Sequence, residues 1–293
     1  MRGLDSCISF VQIYLAAASW LLYNGSMEKR NKVGKVVVRG LMVLVLVLAL
    51  AVAGFVVWAS QTNPILPAAE LALQGASQQQ GAGLVQLGAG ILGPQNALVF
   101  RPTGQEPQVG YVFYPGGRVD YRAYAPYAQA VADQGFLVVV PEMPLNLAVL
   151  NSQAAGAVIP AYPEIRAWAV GGHSLGGSMA AQFAHANPQQ VRGLVLLASY
   201  PAEGTDLSGY DVAVVSIYAS EDGLATVEKV EESRPLLPPQ TQWVMITGGN
   251  HAQFGDYGEQ DGDGAATMDR AEQQTQAAAA TAALLQRVLE VEK

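Results

Sequence analysis

The apolar positions of the chain fall into two regimes. Residues 41–58, LMVLVLVLALAVAGFVVW, form one unbroken apolar run of 18 residues without a charge. From residue 96 onward, short apolar runs alternate with longer stretches in which apolar positions recur three and four apart. The short runs predict strands at 97–101, 109–114, 136–140, 167–172, 191–198, 212–219 and 242–247. The longer stretches predict helices at 121–134, 147–162, 177–187, 225–233 and 267–291, the first ending at Gly135, a common residue just past a helix. Strands alternating with helices imply parallel βαβ crossovers and a doubly wound α/β sheet. Their near-continuous apolar character fits a sheet covered on both faces. Between the two regimes, residues 60–95 are rich in Gln, Gly and Ala with Pro64, Pro67 and Pro94, and read as a linker holding one short helix at 67–74. The expected organisation is a basic segment at 1–40, a membrane span at 41–59, a linker at 60–95 and an α/β domain at 96–293.

The long run, with its flanks, reaches the roughly 20 residues that cross a bilayer core. Twelve of its 18 residues are Leu, Val or Phe, which on an insertion scale favour the membrane by roughly 4–7 kcal/mol. Lys29, Arg30, Lys32, Lys35 and Arg39 precede it, and no Lys or Arg follows until Arg101. The positive-inside rule then puts the basic segment in the cytoplasm and everything after residue 60 outside. The alternative is a secreted protein released by signal cleavage, with Met27 opening the signal. An 18-residue core is longer than the usual 7–15 of such signals, which favours an uncleaved anchor. A weaker apolar stretch at 8–23 is a second span or lies upstream of a start at Met27. Either way the orientation is the same.

Charge narrows the partners. After residue 60 there are ten Lys and Arg against 22 Asp and Glu, so the main body is acidic and a nucleic-acid partner is not expected. One cysteine, Cys7, rules out an intrachain disulfide, and three histidines leave little room for a His-rich metal site.

Sites in doubly wound sheets form beyond the carboxyl ends of the strands. After the strand at 167–172 comes Gly172-His173-Ser174-Leu175-Gly176, a G-x-S-x-G between a strand and a helix. That setting is what a nucleophile elbow requires. After 109–114 comes Pro115-Gly116-Gly117-Arg118, where an oxyanion hole finds its second donor. The expected donors are the backbone N–H of Leu175 and that of Gly117 or Arg118. After 212–219, Asp222 is the expected acid, with Glu221 the alternative. After 242–247 comes His251 in a Gly-rich loop. The other two histidines are excluded as bases: His173 lies within the elbow, and His185 lies far down the following helix. Ser, Asp and His thus arrive from three strand ends, one strand intervening between the first two, in the chain order of a nucleophile–acid–base triad. Tyr114, Arg118, Tyr121, Glu142 and Met143 stand at or just past strand ends. They are pocket candidates equally readable as packing or loop residues.

With these residues placed, the chain resembles the alpha/beta-hydrolase superfamily over roughly residues 96–291. The strings that carry the likeness are GGRVDYRAYAPYAQAVADQGFLVVVPEMPLNLAVL, VGGHSLGGSMAAQFA, IYASEDGLAT and GGNHAQFGDYG. They look like a bacterial, dienelactone-hydrolase-like branch. The resemblance implies Ser174 as nucleophile, Asp222 as acid and His251 as base. True dienelactone hydrolases use Cys where this chain has Ser174, so a dienelactone substrate is not implied. Thirteen residues separate Ala198 from Val212, which leaves only a minimal cap. The expected function is a membrane-anchored hydrolase of small carboxylic esters or related acyl bonds, working without a metal or other cofactor. The competing readings are an acyltransferase on the same triad and a non-catalytic binding protein on a hydrolase fold.

Overall fold

A computed structural model describes residues 32–78, 83–90 and 93–291. The apolar stretch at 8–23, Lys29, Arg30 and the alternative starts Met1 and Met27 lie outside them. The chain divides into two compact units, Met1–Trp58 and Ala59–Lys293.

Helix α1, Lys32–Ser60, contains the apolar run. Its segment Val37–Ser60 is 24 residues long with mean hydropathy 3.0. That length is about 36 Å of helix, enough for the roughly 30 Å of a bilayer core. Leu44, Leu46, Leu48 and Leu50 are each more than half exposed. A helix apolar all round and uncovered by protein has no aqueous surface to present.

The second unit is an eight-stranded sheet in the order β1-β2-β4-β3-β5-β6-β7-β8. The strands are β1 Gly83–Gly90, β2 Gly93–Phe100, β3 Val109–Tyr114, β4 Leu137–Pro141, β5 Ala167–His173, β6 Gly193–Leu197, β7 Ala213–Ala219 and β8 Gln242–Ile246. β2 pairs antiparallel with both β1 and β4, and all pairs from β4 onward are parallel. This is a doubly wound, mostly parallel sheet of the alpha/beta-hydrolase type. Within residues 60–95 the short helix expected at 67–74 is present as α2, Pro67–Ser77. The same stretch also holds strand β1, and β2 starts inside it, neither of which the linker reading included.

The helices of the sheet are α3 Ala125–Ala132, α4 Ala155–Val158, α5 Leu175–Ala186, α6 Val227–Glu232 and α7 Arg270–Val291. Successive strand residues part between two cores, as a period of two demands. Phe100, Tyr111, Phe113, Val138, Val195 and Ile217 pack with α2, α3 and α7. Val99, Val112, Val139, Val170, Leu194 and Val214 pack with α4 and α5. Both faces are covered, which is why the strands read as unbroken apolar runs. The helix expected at 147–162 is instead a chain of short pieces: 3₁₀ turns at Ala148–Asn151 and Ile159–Ala161 around the single turn α4. No helix interrupts the residues between β6 and β7, so the cap there is minimal.

Candidate active site

Ser174 makes the turn between β5 and α5 alone. Its φ is 52° and ψ −126°, a region that a residue with a side chain occupies only when its surroundings hold it there. Its N–H donates to the Leu197 carbonyl at 3.0 Å. Its own carbonyl accepts from Ser178 N–H at 3.2 Å and from Ser199 Oγ at 2.7 Å. A Cβ on either Gly172 or Gly176 would collide with the Tyr114 carbonyl at the end of β3. Both motif glycines are therefore demanded by close backbone approach.

The loop after β3 lies against the start of α5: a Cβ on Gly117 would sit 3.0 Å from Leu175 Cδ2. The two N–H groups of Gly117 and Leu175 have no acceptor among the described residues. The neighbours are committed. Gly116 N–H donates to Tyr124 Oη at 3.0 Å, and Arg118 N–H donates to the Asn146 carbonyl at 2.7 Å. Of the two alternatives Gly117 and Arg118, only Gly117 keeps its N–H unengaged.

Asp222, at the first turn beyond β7, is buried. Its Oδ1 accepts from Leu224 N–H at 2.8 Å and Ala225 N–H at 2.7 Å. Its Oδ2 lies 2.8 Å from His251 Nδ1, with both side chains buried. Glu221 is exposed and accepts from Ser220 Oγ instead. With Asp222 ionised, the shared proton sits on His251 Nδ1, and Nε2 carries a lone pair. That Nε2 is buried and hydrogen-bonds to nothing among the described residues, Ser174 Oγ included. Before substrate arrives, such contacts are often long and tighten later.

His173, which its place in the elbow excludes as a base, lies against the site in another way. Its ring packs on His251 with centroids 4.5 Å apart. Its Nδ1 is 2.9 Å from Tyr124 Oη. Because Tyr124 Oη already accepts from Gly116 N–H, its own proton goes to His173 Nδ1. Burial and the adjacent His251 hold the His173 ring well below the usual histidine range. A neutral ring thus links the loop after β3 to His251. Tyr124, sitting inside a helical pattern, gave no sign of this in sequence. His185 stacks on Tyr210, centroids 5.2 Å apart, away from these loops.

The expected pocket residues have other partners. Tyr114 is wholly buried, its Oη donating to the Ser152 carbonyl at 3.0 Å and accepting from Ala155 N–H at 2.9 Å. Met143 belongs to the core on the same face. Glu142 accepts from Asn96 Nδ2 at 2.6 Å. Tyr121 is buried in the opposite core, where burial and the charge of Glu142 push its phenol up to about 12. These four side chains are held by packing or hydrogen bonds at or beyond the ends of the interior strands β3 and β4; a strand-end position alone does not tell packing from lining.

The rim has a contributor that the linker reading missed. Arg118 Nη2 donates to the Gln61 carbonyl at 3.3 Å, Asn63 Nδ2 to the Glu259 carbonyl at 3.0 Å, and Leu66 N–H to the Asp256 carbonyl at 2.9 Å. Residues 61–66 form a strap across the loops that follow β3 and β8. Pro64 and Pro67 were its signal, because each biases the residue before it towards extended backbone; Leu66 has φ −81° and ψ 159°. Among the described residues no three His, Cys, Asp or Glu side chains gather as a metal set would.

The sequence matches the profile of the Alpha/beta hydrolase family over residues 110–275, more than half of the chain. The chain belongs to the alpha/beta hydrolase family. No curated protein matches it. Similar solved structures include the Pyrobaculum calidifontis esterase at 17% identity and TM-score 0.57, covering 75% of this chain and 90% of that one. The esterase domain of a Rhodothermus marinus protein, at 11% identity and TM-score 0.53, covers 71% and 99% respectively. The 2,6-dihydroxy-pseudo-oxynicotine hydrolase, at 15% identity and TM-score 0.58, covers 76% and 73%. At such identities the likeness is one of fold.

Proposed function

We propose that this alpha/beta hydrolase is a membrane-anchored serine esterase that cleaves carboxylic esters through Ser174, His251 and Asp222. The observation that carries the reading is the 2.8 Å contact between buried His251 Nδ1 and Asp222 Oδ2, which leaves Nε2 without a partner among the described residues, in a site where Ser174 is held in a strained strand-to-helix turn. In this mechanism Nε2 takes the Ser174 Oγ proton as Oγ attacks the ester carbonyl. Asp222 holds the tautomer and stabilises the imidazolium. The N–H groups of Leu175 and Gly117 receive the developing oxyanion, each worth roughly 3–4 kcal/mol of transition-state stabilisation. The imidazolium returns its proton to the leaving alcohol. Water, activated by the same His251, then releases the acid and frees Ser174.

Solved relatives of the same fold that are described as esterases support the choice of esters. Ser174 in place of Cys sets the chain apart from dienelactone hydrolases within the branch its sequence resembles. The apolar segment of α1 serves as the anchor, and the basic residues between Lys29 and Arg39, ahead of its apolar run, favour residues 59–293 on the outer side of the membrane. The minimal cap suits small substrates.

The test is covalent labelling of the full chain in membranes by a fluorophosphonate probe, beside hydrolysis of aryl esters of graded chain length. Labelling is expected at Ser174, and Ser174→Ala should lower kcat by roughly 10⁴-fold or more. A folded protein that takes no label and turns over no ester overturns the reading.

A further inference from the structure

Asp263 lies outside every motif that the sequence singles out, in the loop that leads to α7. Its carboxylate accepts four backbone N–H groups. Oδ1 takes those of Gly223 at 3.2 Å, His251 at 3.1 Å and Gly264 at 2.8 Å. Oδ2 takes that of Ala252 at 2.8 Å. Two of these belong to the loop carrying His251, and one to the residue next to Asp222. The backbone around Asp263 is wedged into the same gap. A Cβ on Gly223 would collide with the Gly262 carbonyl, and a Cβ on Gly264 with the Glu221 carbonyl. Asn250 Nδ2 donates to the Gly264 carbonyl at 2.7 Å, fastening the wedge to the residue before His251.

Asp222 and His251 sit beyond the ends of neighbouring strands, where the sheet ladder no longer holds them. The last ladder-side bond between their loops is Glu221 N–H to the Gly249 carbonyl at 2.9 Å. Past it, Asp222 turns back on its own loop through Leu224 and Ala225. A charged acceptor spanning both loops is the strongest available clasp, since hydrogen bonds to ionised groups are about twice as strong as neutral ones. A carboxylate also offers about four lone-pair sites, and four N–H groups use them. An asparagine of the same shape would turn an amide N–H towards one of those donors.

We propose that Asp263 is a positioning residue for the Asp222–His251 pair, clasping the acid loop to the base loop so that His251 Nε2 is aimed before substrate binds. The kinetic side of this rests on the serine-esterase reading; the geometric side does not.

The experiment compares the full chain with Asp263→Asn. Thr241→Ala, which removes a buried hydrogen bond to the Pro238 carbonyl ahead of β8, at the end of that strand away from His251, controls for lost stability. Two readouts are taken: steady-state ester hydrolysis, and the far-downfield proton resonance of the His251 Nδ1–H···Asp222 bond. Asp263→Asn should lower kcat by roughly 10- to 100-fold with KM changed by no more than about twofold, because small misplacements of reacting groups act on the transition state. It should also shift or broaden the downfield resonance. Thr241→Ala should leave kcat and resonance unchanged. The proposal is overturned if Asp263→Asn keeps both, or if Thr241→Ala moves both equally at matched loss of stability. Should Asp263→Asn not fold, Gly264→Ala displaces the wedge while keeping the carboxylate, and an unchanged resonance there overturns the proposal. If the parent turns over no ester, the function reading fails, and the resonance alone decides the clasp.

Discussion

Ser174 and His173 are adjacent in sequence and opposite in electrostatic demand. Ser174 needs backbone strain, supplied by the bonds to Leu197, Ser178 and Ser199. His173 needs to stay uncharged, because a second ring proton would bury a charge beside the His251 imidazole and take the Nδ1 lone pair that accepts from Tyr124 Oη. The folded chain holds its pKa well below the ordinary 6.5 that the unfolded chain regains. Below pH 6.5 the unfolded state therefore binds a proton that the folded state refuses. Stability from this source is complete above 6.5 and is lost as pH falls towards the folded value, at up to about 1.4 kcal/mol per pH unit. Urea unfolding of the parent should thus weaken between pH 7 and pH 5.5. His173→Asn, whose side-chain oxygen can still accept from Tyr124 Oη, should weaken less steeply over that window. Equal slopes for the two proteins would sink the argument.

Elements differ in how openly their sequences announce them. Strands β3 to β7 were legible because both faces are buried, so apolar runs are compulsory, whereas β8 is an edge strand with Gln242 and Met245 exposed. The Ser and Asp positions were legible for the same reason, each following a buried strand, and His251 was legible from the Gly-rich loop after β8. β1 was not legible. It pairs with β2 alone, the face bearing Leu84 and Gln86 is exposed, and Val85 and Leu87 on the other face pack on the core, an apolar signal of only two residues. The segment 147–162 misled in the other direction. Its small apolar residues suit a helix, but Pro160 interrupts it, and Leu145 and Asn146 enter it at φ 51° and 56°. The Asn146 carbonyl is needed by Arg118 N–H, which fixes that entry. Asp263 was beyond sequence reasoning altogether, because its partners are backbone groups from other loops. Helix α1 rests on hydropathy alone, and it invites an element-scale test. Val47→Arg puts a charge mid-run at a cost of about 2.5–3.5 kcal/mol, a large part of what the apolar residues supply. The share of protein that stays in membranes after an alkaline carbonate wash should drop sharply, whereas a share equal to the parent's would argue against a spanning role.

At the scale of the folded unit, the edge bearing Ser174 is also where that unit begins. The strap contributes three hydrogen bonds, two of them exposed, together worth about 2 kcal/mol. For a body of this size that corresponds to roughly 4–8 °C in Tm. A fragment of residues 67–293 should unfold that much earlier than one of residues 61–293, and scanning calorimetry would show it. Identical midpoints would mean that the strap merely rests on the loops.

The strap also changes what counts as a remote end of the molecule. Gln61 and Asn63 touch the loops that carry Gly117 and follow His251. An affinity tag, a fusion partner or a processing cut placed at residue 61 would therefore press on the loops that carry Gly117 and follow His251. The far end of α7, about 33 Å of helix from the Arg270 that bonds the His251 loop, is the place to attach a label that must leave those loops alone.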